Sequence, residues 1–257
     1  MAQRISRAKR TVSDRRLHRP ADVAVVLHVL HLVYTTGHVS DLDLAREAIR
    51  LARQLVLASD EPEVRGLLAL MLLHHARHRA RVVDGRLVPL DEQDRSLWNR
   101  DEISEGVEIL QGALAQTRRG QFQIEAAIAA LHDDAENAAE TDWPQVLAWY
   151  DELVGLTRDP VRDDPAAVLS RAVAVGHVLG PSAGLLEVER VEPVLRDRWK
   201  VLAVQGYLLR MAGDLEEAAT AYARAAERFP STLERDHLVR QAARARAAGS
   251  AGRVNGG

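Results

Sequence analysis

The chain has 257 residues, a formal net charge of −3 and no cysteine, and 47% of its residues are hydrophobic. The absence of thiols excludes disulfide bonds, cysteine nucleophiles and cysteine-ligated zinc, and it favours a reducing, cytoplasmic location. The chain is long enough to bury a core of its own, and no apolar run reaches the roughly 18 residues that a membrane-spanning helix requires.

The chain begins with a basic segment, MAQRISRAKR, which contains four basic residues and no acidic one: Arg4, Arg7, Lys9 and Arg10. No apolar stretch follows this segment, so we do not expect a secretory signal. Such residues alone are typical of a solvated segment, and contact with nucleic-acid phosphates is the functional alternative.

The residues after this segment have helical periodicity. Pro20 begins a helix that Gly37 is predicted to end, and a second helix carries an apolar stripe over 45–56. Asp60 and Glu63 predict a capping box at the start of a third helix, which is apolar on most sides.

A short non-helical stretch follows, and helices then resume. Asp84 and Gly85 predict a tight turn with short extended arms. Aromatic residues make up only 4% of the chain, which favours helices over strands. We predict helices over 101–117, 121–136, 142–156, 164–179, 195–212, 214–228 and 231–247, and a disordered tail over 249–257. The predicted fold class is therefore all-α: a tetratricopeptide-like solenoid of antiparallel helix pairs, forming one domain over 20–248.

The stretch WKVLAVQGYLLRMAGDLEEAATAYARAAERFP matches the tetratricopeptide repeat, a helix–turn–helix unit of about 34 residues. Gly213 can adopt the positive φ that ends the first helix, and Asp214 with Glu217 is predicted to cap the second helix. The concave face of such arrays is typically a peptide- or protein-binding surface. The repeat-defining residues are Gly206, Gly213, Ala218, Tyr222, Ala225 and Pro230.

A histidine-rich stretch, HHARH, places His74 and His78 one helical turn apart, which is a spacing that metal ligands use. The glutamate of an HExxH motif is missing and no third ligand is obvious nearby, so a packed or solvated histidine cluster is the favoured interpretation. We expect no metal and no other cofactor.

The stretch DEQDRSLW concentrates hydrogen-bonding groups beside a large aromatic ring, and two arginines lie one turn apart on the preceding helix. Asp91, Glu92 or Asp94 could pair with these arginines. We expect either an ion-pair network that holds this loop to the helices or a site for a ligand or partner. The candidate residues are Arg77, Arg81, Asp94, Arg95 and Trp98.

An enzyme with a pocket at the 91–98 loop is the least favoured alternative. Ser96 has no histidine close in sequence, and the chain contains neither a glycine-rich phosphate loop nor a nucleophile elbow. We therefore predict no catalytic residues.

Several stretches together resemble the C-terminal extension of one group of bacterial RNA polymerase sigma factors, the extracytoplasmic-function type with a long tetratricopeptide-like extension. The most distinctive is EPEVRGLLALMLLHHARHRARVVDGRLVPLDEQDRSLWNRDEISEG, and QIEAAIAALHDDAENAAETDWPQVLAWYDEL and the closing repeat also match. The resemblance covers about residues 20–245. Where the family carries an asparagine before RAVA, this chain has Ser170.

The resemblance implies sigma-factor-related control of transcription initiation, with core RNA polymerase and promoter DNA as partners and a regulatory protein as a candidate occupant of the helical groove. It also implies that residues 1–14 are a remnant of a helix-turn-helix domain. There, Arg4, Arg7, Lys9 and Arg10 match basic positions of the helix that enters the major groove. We expect the chain to supply mostly the protein-interaction extension. A free-standing tetratricopeptide-type adaptor is the alternative, and no membrane partner is expected.

Overall fold

The computed structural model describes residues 20–40, 42–116, 119–157, 164–191, 198–229 and 231–254. The basic residues Arg4, Arg7, Lys9 and Arg10, the expected remnant over 1–14, and Pro230 lie outside the described residues. The chain divides into two compact units between Asp60 and Glu61. Across the described residues the fold is an all-α array with twelve helices and one two-stranded hairpin.

The first unit contains two helices that pack against each other, α1 (Pro20–Ser40) and α2 (Leu42–Ala58). The prediction that Gly37 ends the first helix is wrong, because α1 continues to Ser40. The glycine serves close packing instead: a Cβ there would lie 2.5 Å from the backbone nitrogen of Ala45.

The second unit begins with a buried helix, α3 (Pro62–Ala76), and a short helix, α4 (His78–Arg81). A hairpin of β1 (Val82–Val83) and β2 (Arg86–Leu87) follows. The remaining helices are α5 (Arg100–Leu114), α6 (Gln121–Asp134), α7 (Trp143–Gly155), α8 (Pro165–Leu179), α9 (Pro181–Val191), α10 (Arg198–Ala212), α11 (Leu215–Ala226) and α12 (Thr232–Val254).

Each helix from α6 onward packs against the next one along the chain, while α3 packs against both α5 and α6. Apolar clusters lie between consecutive members of this array. One cluster joins α8, α9 and α10 through Val168, Val188 and Leu208, and Leu208 is fully buried. Burial of such a side chain stabilises the fold by about 1.5–3 kcal/mol, so successive helices stabilise one another.

Three features of the observed helices differ from the sequence prediction: an interruption, an additional helix and a longer last helix. Arg77 interrupts the third predicted helix with φ −93° and ψ 0°. The helix α9 was not predicted, although Pro181 at its start is a favourable first residue. Residues 249–254 continue α12 instead of forming a disordered tail, while 255–257 lie outside the described residues.

The closing repeat comprises α10 and α11, with α12 packed against α11. Gly213 adopts φ +87°, the left-handed conformation predicted for it. A Cβ on Gly206 would lie 2.8 Å from the Tyr222 ring, so a glycine allows the two helices to approach closely. Ala218, Tyr222 and Ala225 are buried between the helices. The predicted capping box is wrong, because the Asp214 side chain makes no capping hydrogen bond.

The predicted capping box at Asp60 and Glu63 is also wrong. Glu61 is the N-cap of α3, without a side-chain capping bond. The Glu63 carboxylate accepts hydrogen bonds from the backbone N–H groups of Phe122, at 3.1 Å, and Gln123, at 3.2 Å. It therefore caps the N-terminus of α6, where a negative charge is favourable.

None of the helices in the described ranges combines the length and the apolar character that crossing a membrane requires.

Candidate partner-binding groove

The loop that contains the predicted candidate residues starts with a tight hairpin. Val82 pairs with Leu87 and Val83 with Arg86. Asp84 has φ +50° and Gly85 has φ +70°, the two positive values that a type I′ turn requires. The turn and its short extended arms are as predicted, and the chain then continues through two 3₁₀ turns, Leu90–Glu92 and Arg95–Leu97.

The acidic partner of Arg77 is Asp133 on α6, at 3.5 Å, and not one of the loop carboxylates predicted for it. Asp94 is exposed and accepts a hydrogen bond from the backbone N–H of Ser96. Glu92 forms an ion pair with Arg244 of α12 at 2.6 Å. The predicted pairing is therefore wrong for Arg77, because α6 supplies the buried carboxylate instead.

Arg95 fastens the loop to the C-terminal end of α6. Its Nη1 donates to the carbonyl oxygens of His132, at 2.8 Å, and Ala135, at 2.6 Å. Its guanidinium lies 4.4 Å from the ring centroid of Trp98, which is buried. Carbonyls at a helix C-terminus lack partners within the helix, so an arginine there satisfies them and is attracted by the helix dipole. Arg95 and Trp98 thus hold the loop on the end of α6, while Arg77 pairs with Asp133 of the same helix.

Two buried titratable groups lie beneath this network. Burial raises the pKa of Asp133 to about 6, against the opposing effect of Arg77 and Arg95. Burial lowers the pKa of His132 to about 4, and the same two arginines lower it further. At neutral pH, Asp133 is therefore an anion beside arginines, and His132 is uncharged.

Sequence reasoning missed Asp133, although a signal for it was present. It follows Phe122, Ala126 and Ala129 at helical spacing, and all of them are buried. A buried carboxylate on an apolar stripe requires a cationic partner, and Arg77 and Arg95 provide the positive charge.

The second unit contains two adjoining cavities, which together we call the groove. One has a volume of about 450 Å³ and the other of about 520 Å³. They share four lining residues, so they are parts of one depression: His132, Tyr150, Ala166 and Ser170. Helices α3, α6, α7, α8 and α10 contribute its walls.

Trp143, Tyr150 and Trp199 line the half of the groove with the cavity of about 520 Å³, and His177 and Tyr207 lie behind this lining. The Trp143 ring stacks on His177 with 3.6 Å between ring centroids, and it meets His132 edge-on at 5.4 Å. The Nε2 atom of His177 is 2.8 Å from the Tyr207 hydroxyl, to which it is hydrogen-bonded. Burial raises the pKa of Tyr207 to about 12, so its hydroxyl remains protonated. Trp199 and Lys200 complete this half.

Ser170, where the resemblance leads us to expect an asparagine, lies in both cavities. Its side chain is hydrogen-bonded to Tyr150, whose pKa is raised by burial. The serine therefore orients a groove tyrosine.

The groove is suited to holding apolar or aromatic side chains, because its walls are largely apolar and a few polar groups converge on it. Within the described part of the chain, no group of three or more histidine or acidic side chains is placed to hold a metal ion. The predicted histidine cluster is packed: His75 stacks on His78 at 4.6 Å, and its Nδ1 lies 2.9 Å from Glu102.

Comparison with known proteins gives one family and one relative. Residues 22–114 match a family of unknown function, DUF6596. The chain is 37% identical over 267 aligned residues to an uncharacterized protein of Rhizobium meliloti (strain 1021). That alignment covers 95% of this chain and 62% of the relative, so the chain spans less than two thirds of the relative's length. No solved structure matches the chain.

The family match covers α1 to α5 and includes Arg77, Arg95 and Trp98. It does not reach α6 to α12, which form most of the groove. The similarity to the Rhizobium protein extends over nearly all of this chain, so it is the broader of the two relationships.

Proposed function

We propose that this chain belongs to a sigma-factor-related regulator of transcription initiation and that its second unit is a protein-interaction domain. The observation that carries the interaction role is the groove, with Trp143 in its lining and its shared wall of His132 and Tyr150. Clefts between stacked helical hairpins commonly bind an extended segment of another protein.

The transcription role is supported by the resemblance to sigma factors with a tetratricopeptide-like extension. The block EPEVRGLLALMLLHHARHRARVVDGRLVPLDEQDRSLW, which resembles that extension most, forms α3, α4, the hairpin and the loop that Arg95 holds. In this proposal core RNA polymerase and promoter DNA are partners, and Arg4, Arg7, Lys9 and Arg10 contact DNA phosphates. The groove receives a segment of polymerase or of a regulator.

Retention of core RNA polymerase by the affinity-tagged chain tests the proposal. We expect polymerase to be retained by the natural chain and to be lost with Ala166→Trp, because Ala166 is exposed and lines both cavities. The matched control is Ser182→Trp, on an exposed position of α9 outside the groove lining, which should retain polymerase. Equal retention by both variants would contradict a role for the groove.

A free-standing adaptor is the second candidate, and the same groove favours it. The two proposed functions differ in the partner that the groove binds. An adaptor would retain a protein other than polymerase, and Ala166→Trp would abolish that retention. Failure of the natural chain to retain polymerase, together with such a partner, would replace the first proposal with the second.

A further inference from the structure

The segment Leu87–Glu92, which we call the strap, faces the last three helices of the second unit. Together they enclose a cavity of about 280 Å³. The strap contributes Leu87, Pro89 and both of its carboxylates to the lining. The opposite wall consists mainly of Ala203, Tyr207, Tyr222 and Leu238 of the helices and of Phe229 in the α11–α12 connection. A piece of this chain is therefore seated on the face of the closing repeat.

Two arginines of α12 hold the strap at its two ends. The Nη2 of Arg240 donates to the carbonyl oxygen of Leu87 at 3.3 Å, and the Nη1 of Arg244 pairs with Glu92 at 2.6 Å. The side chains of Arg244 and Glu92 are 58% and 42% exposed. An ion pair this exposed is weak, so the Glu92 end of the strap is held only lightly on α12. The middle of the strap is hydrogen-bonded to the hairpin side of the loop, where the Val88 N–H donates to the carbonyl oxygen of Arg81 at 2.9 Å.

The charges on the two surfaces are complementary. Asp91 lines the cavity together with Tyr207, Tyr222 and His237 of the helical face. Arg210 stands on that face, 5.2 Å from the Tyr207 ring centroid and hydrogen-bonded to Tyr222. Arg210, Arg240 and Arg244 thus present three cations to the strap. Among the described lining residues that belong to the helices, Glu234 is the acidic one.

The strap fills this face incompletely. A half-open cavity of about 280 Å³ remains between the strap and the largely apolar walls of the face. Neither Leu87 nor Pro89 fills this space, so a ligand with larger apolar side chains would gain contacts that the strap does not make.

We propose that the strap is an internal competitor for an acidic segment of a partner protein. The partner segment is extended, with apolar side chains that enter the cavity and carboxylates that follow them to reach Arg240 and Arg244. The strap sequence, LVPLDE, has this order itself. When the strap is seated, apparent affinity for the partner is reduced by the fraction of molecules in which the face is covered.

This competition rests on the proposed protein-interaction role of the second unit, but it concerns the cavity under the strap and not the groove itself. The two are neighbours, since Ala203 lines both and Leu90 of the strap lines the groove. A probe that needs no polymerase therefore tests it separately. The probe is a fluorescein-labelled synthetic peptide, RLVPLDEQD, which reproduces residues 86–94. Its binding to the purified full chain is followed by fluorescence polarisation.

We expect the double variant Asp91→Asn with Glu92→Gln to bind the peptide roughly two- to fivefold more tightly than the natural chain, because loss of the strap ion pair uncovers the face. Adding Arg240→Gln and Arg244→Gln to that variant should abolish the gain. Arg235→Gln, an exposed arginine on the opposite side of α12, is the matched control and should leave the gain intact. Circular dichroism verifies that each variant is helical.

Equal affinity of the natural chain and the strap variant would overturn the proposal. So would equal binding of a peptide in which asparagine and glutamine replace the residues that correspond to Asp91 and Glu92. Sedimentation showing that the gain comes from dimers, which exchange straps between two copies, would overturn it as well. If these results are negative while polymerase is still retained, the competition is wrong and the proposed function stands.

Discussion

At the scale of single residues, close packing in the closing repeat depends on a glycine. The Gly206→Ala variant would place a methyl group 2.8 Å from the Tyr222 ring, which is buried and cannot move aside freely. We expect a loss of about 1–3 kcal/mol in the free energy of unfolding, measured by urea denaturation.

The matched control for this variant is Gly112→Ala on α5, where a Cβ meets nothing within 4 Å. Alanine is the better helix former, so this control should stabilise the protein by roughly 0.5–1 kcal/mol. If both variants change stability in the same direction, helix propensity and not contact with Tyr222 governs the Gly206 position.

A second residue-scale prediction concerns pH and Asp133. The folded protein releases the Asp133 proton at a pKa of about 6, against an ordinary value of 3.8. Between these values the native state binds more protons than the unfolded state, so the free energy of unfolding contributed by this group falls as pH rises. The full effect is up to about 3 kcal/mol.

Asp133→Asn removes this titration. The unfolding free energy of the natural chain minus that of the variant should therefore decrease between pH 4 and pH 7, in urea titrations at several pH values. Asp134→Asn, on the exposed neighbouring residue, is the control and should give a difference that does not vary in this way. A flat difference for Asp133→Asn would show that burial does not raise the pKa of that carboxyl.

At the scale of elements, the second unit uses one helix to cap another. The Glu63 carboxylate of α3 accepts from two backbone N–H groups at the start of α6. We expect Glu63→Ala to cost about 1–2 kcal/mol and to accelerate amide hydrogen exchange at Phe122 and Gln123. Glu108→Ala, at an exposed position of α5, should change stability by less than about 0.5 kcal/mol and leave those amides protected. Unchanged exchange in the Glu63 variant would contradict the capping role.

Comparison of the predicted with the observed helices and turns shows which features the sequence could predict. The hairpin turn at Asp84 and Gly85 and the left-handed Gly213 follow from neighbouring residues, and each occurs as predicted. The wrong predictions concern partners that are distant in sequence. Glu63 caps α6 and not its own helix, and a glycine within α1 allows packing and does not end the helix.

In the candidate site, too, the sequence predicts features that depend on neighbouring residues and misses contacts between residues that are distant in sequence. Arg77, Arg95 and Trp98 could be selected from the sequence because polar and aromatic groups interrupt a helical pattern there. Their partners could not, because Asp133 and the carbonyl of His132 come close only after α6 has packed on α3. The stack of Trp143 on His177 likewise joins α7 and α8. Helical periodicity predicts each of these helices but not the contact between them.

At the scale of the whole molecule, the described part of the second unit ends with a helix that covers the array. Leu238, Ala242 and Ala245 of α12 are buried against α11 and α10. Terminal helices of such arrays protect an apolar face that would otherwise contact water. The same helix holds the strap through Arg240 and Arg244, so it stabilises both the closing repeat and the hairpin loop.

Truncation after Ser231, which removes α12, should therefore have two effects. The free energy of unfolding should fall by on the order of 3–5 kcal/mol, because buried apolar side chains are deleted. The dye ANS should also bind to the exposed face of α11, with an increase in fluorescence that the natural chain does not show. Truncation after Ser250 removes only the last part of α12 and should preserve stability, since the three buried residues remain. If the longer truncation leaves stability and dye binding unchanged, α12 does not cover the array, and the strap is not held by it.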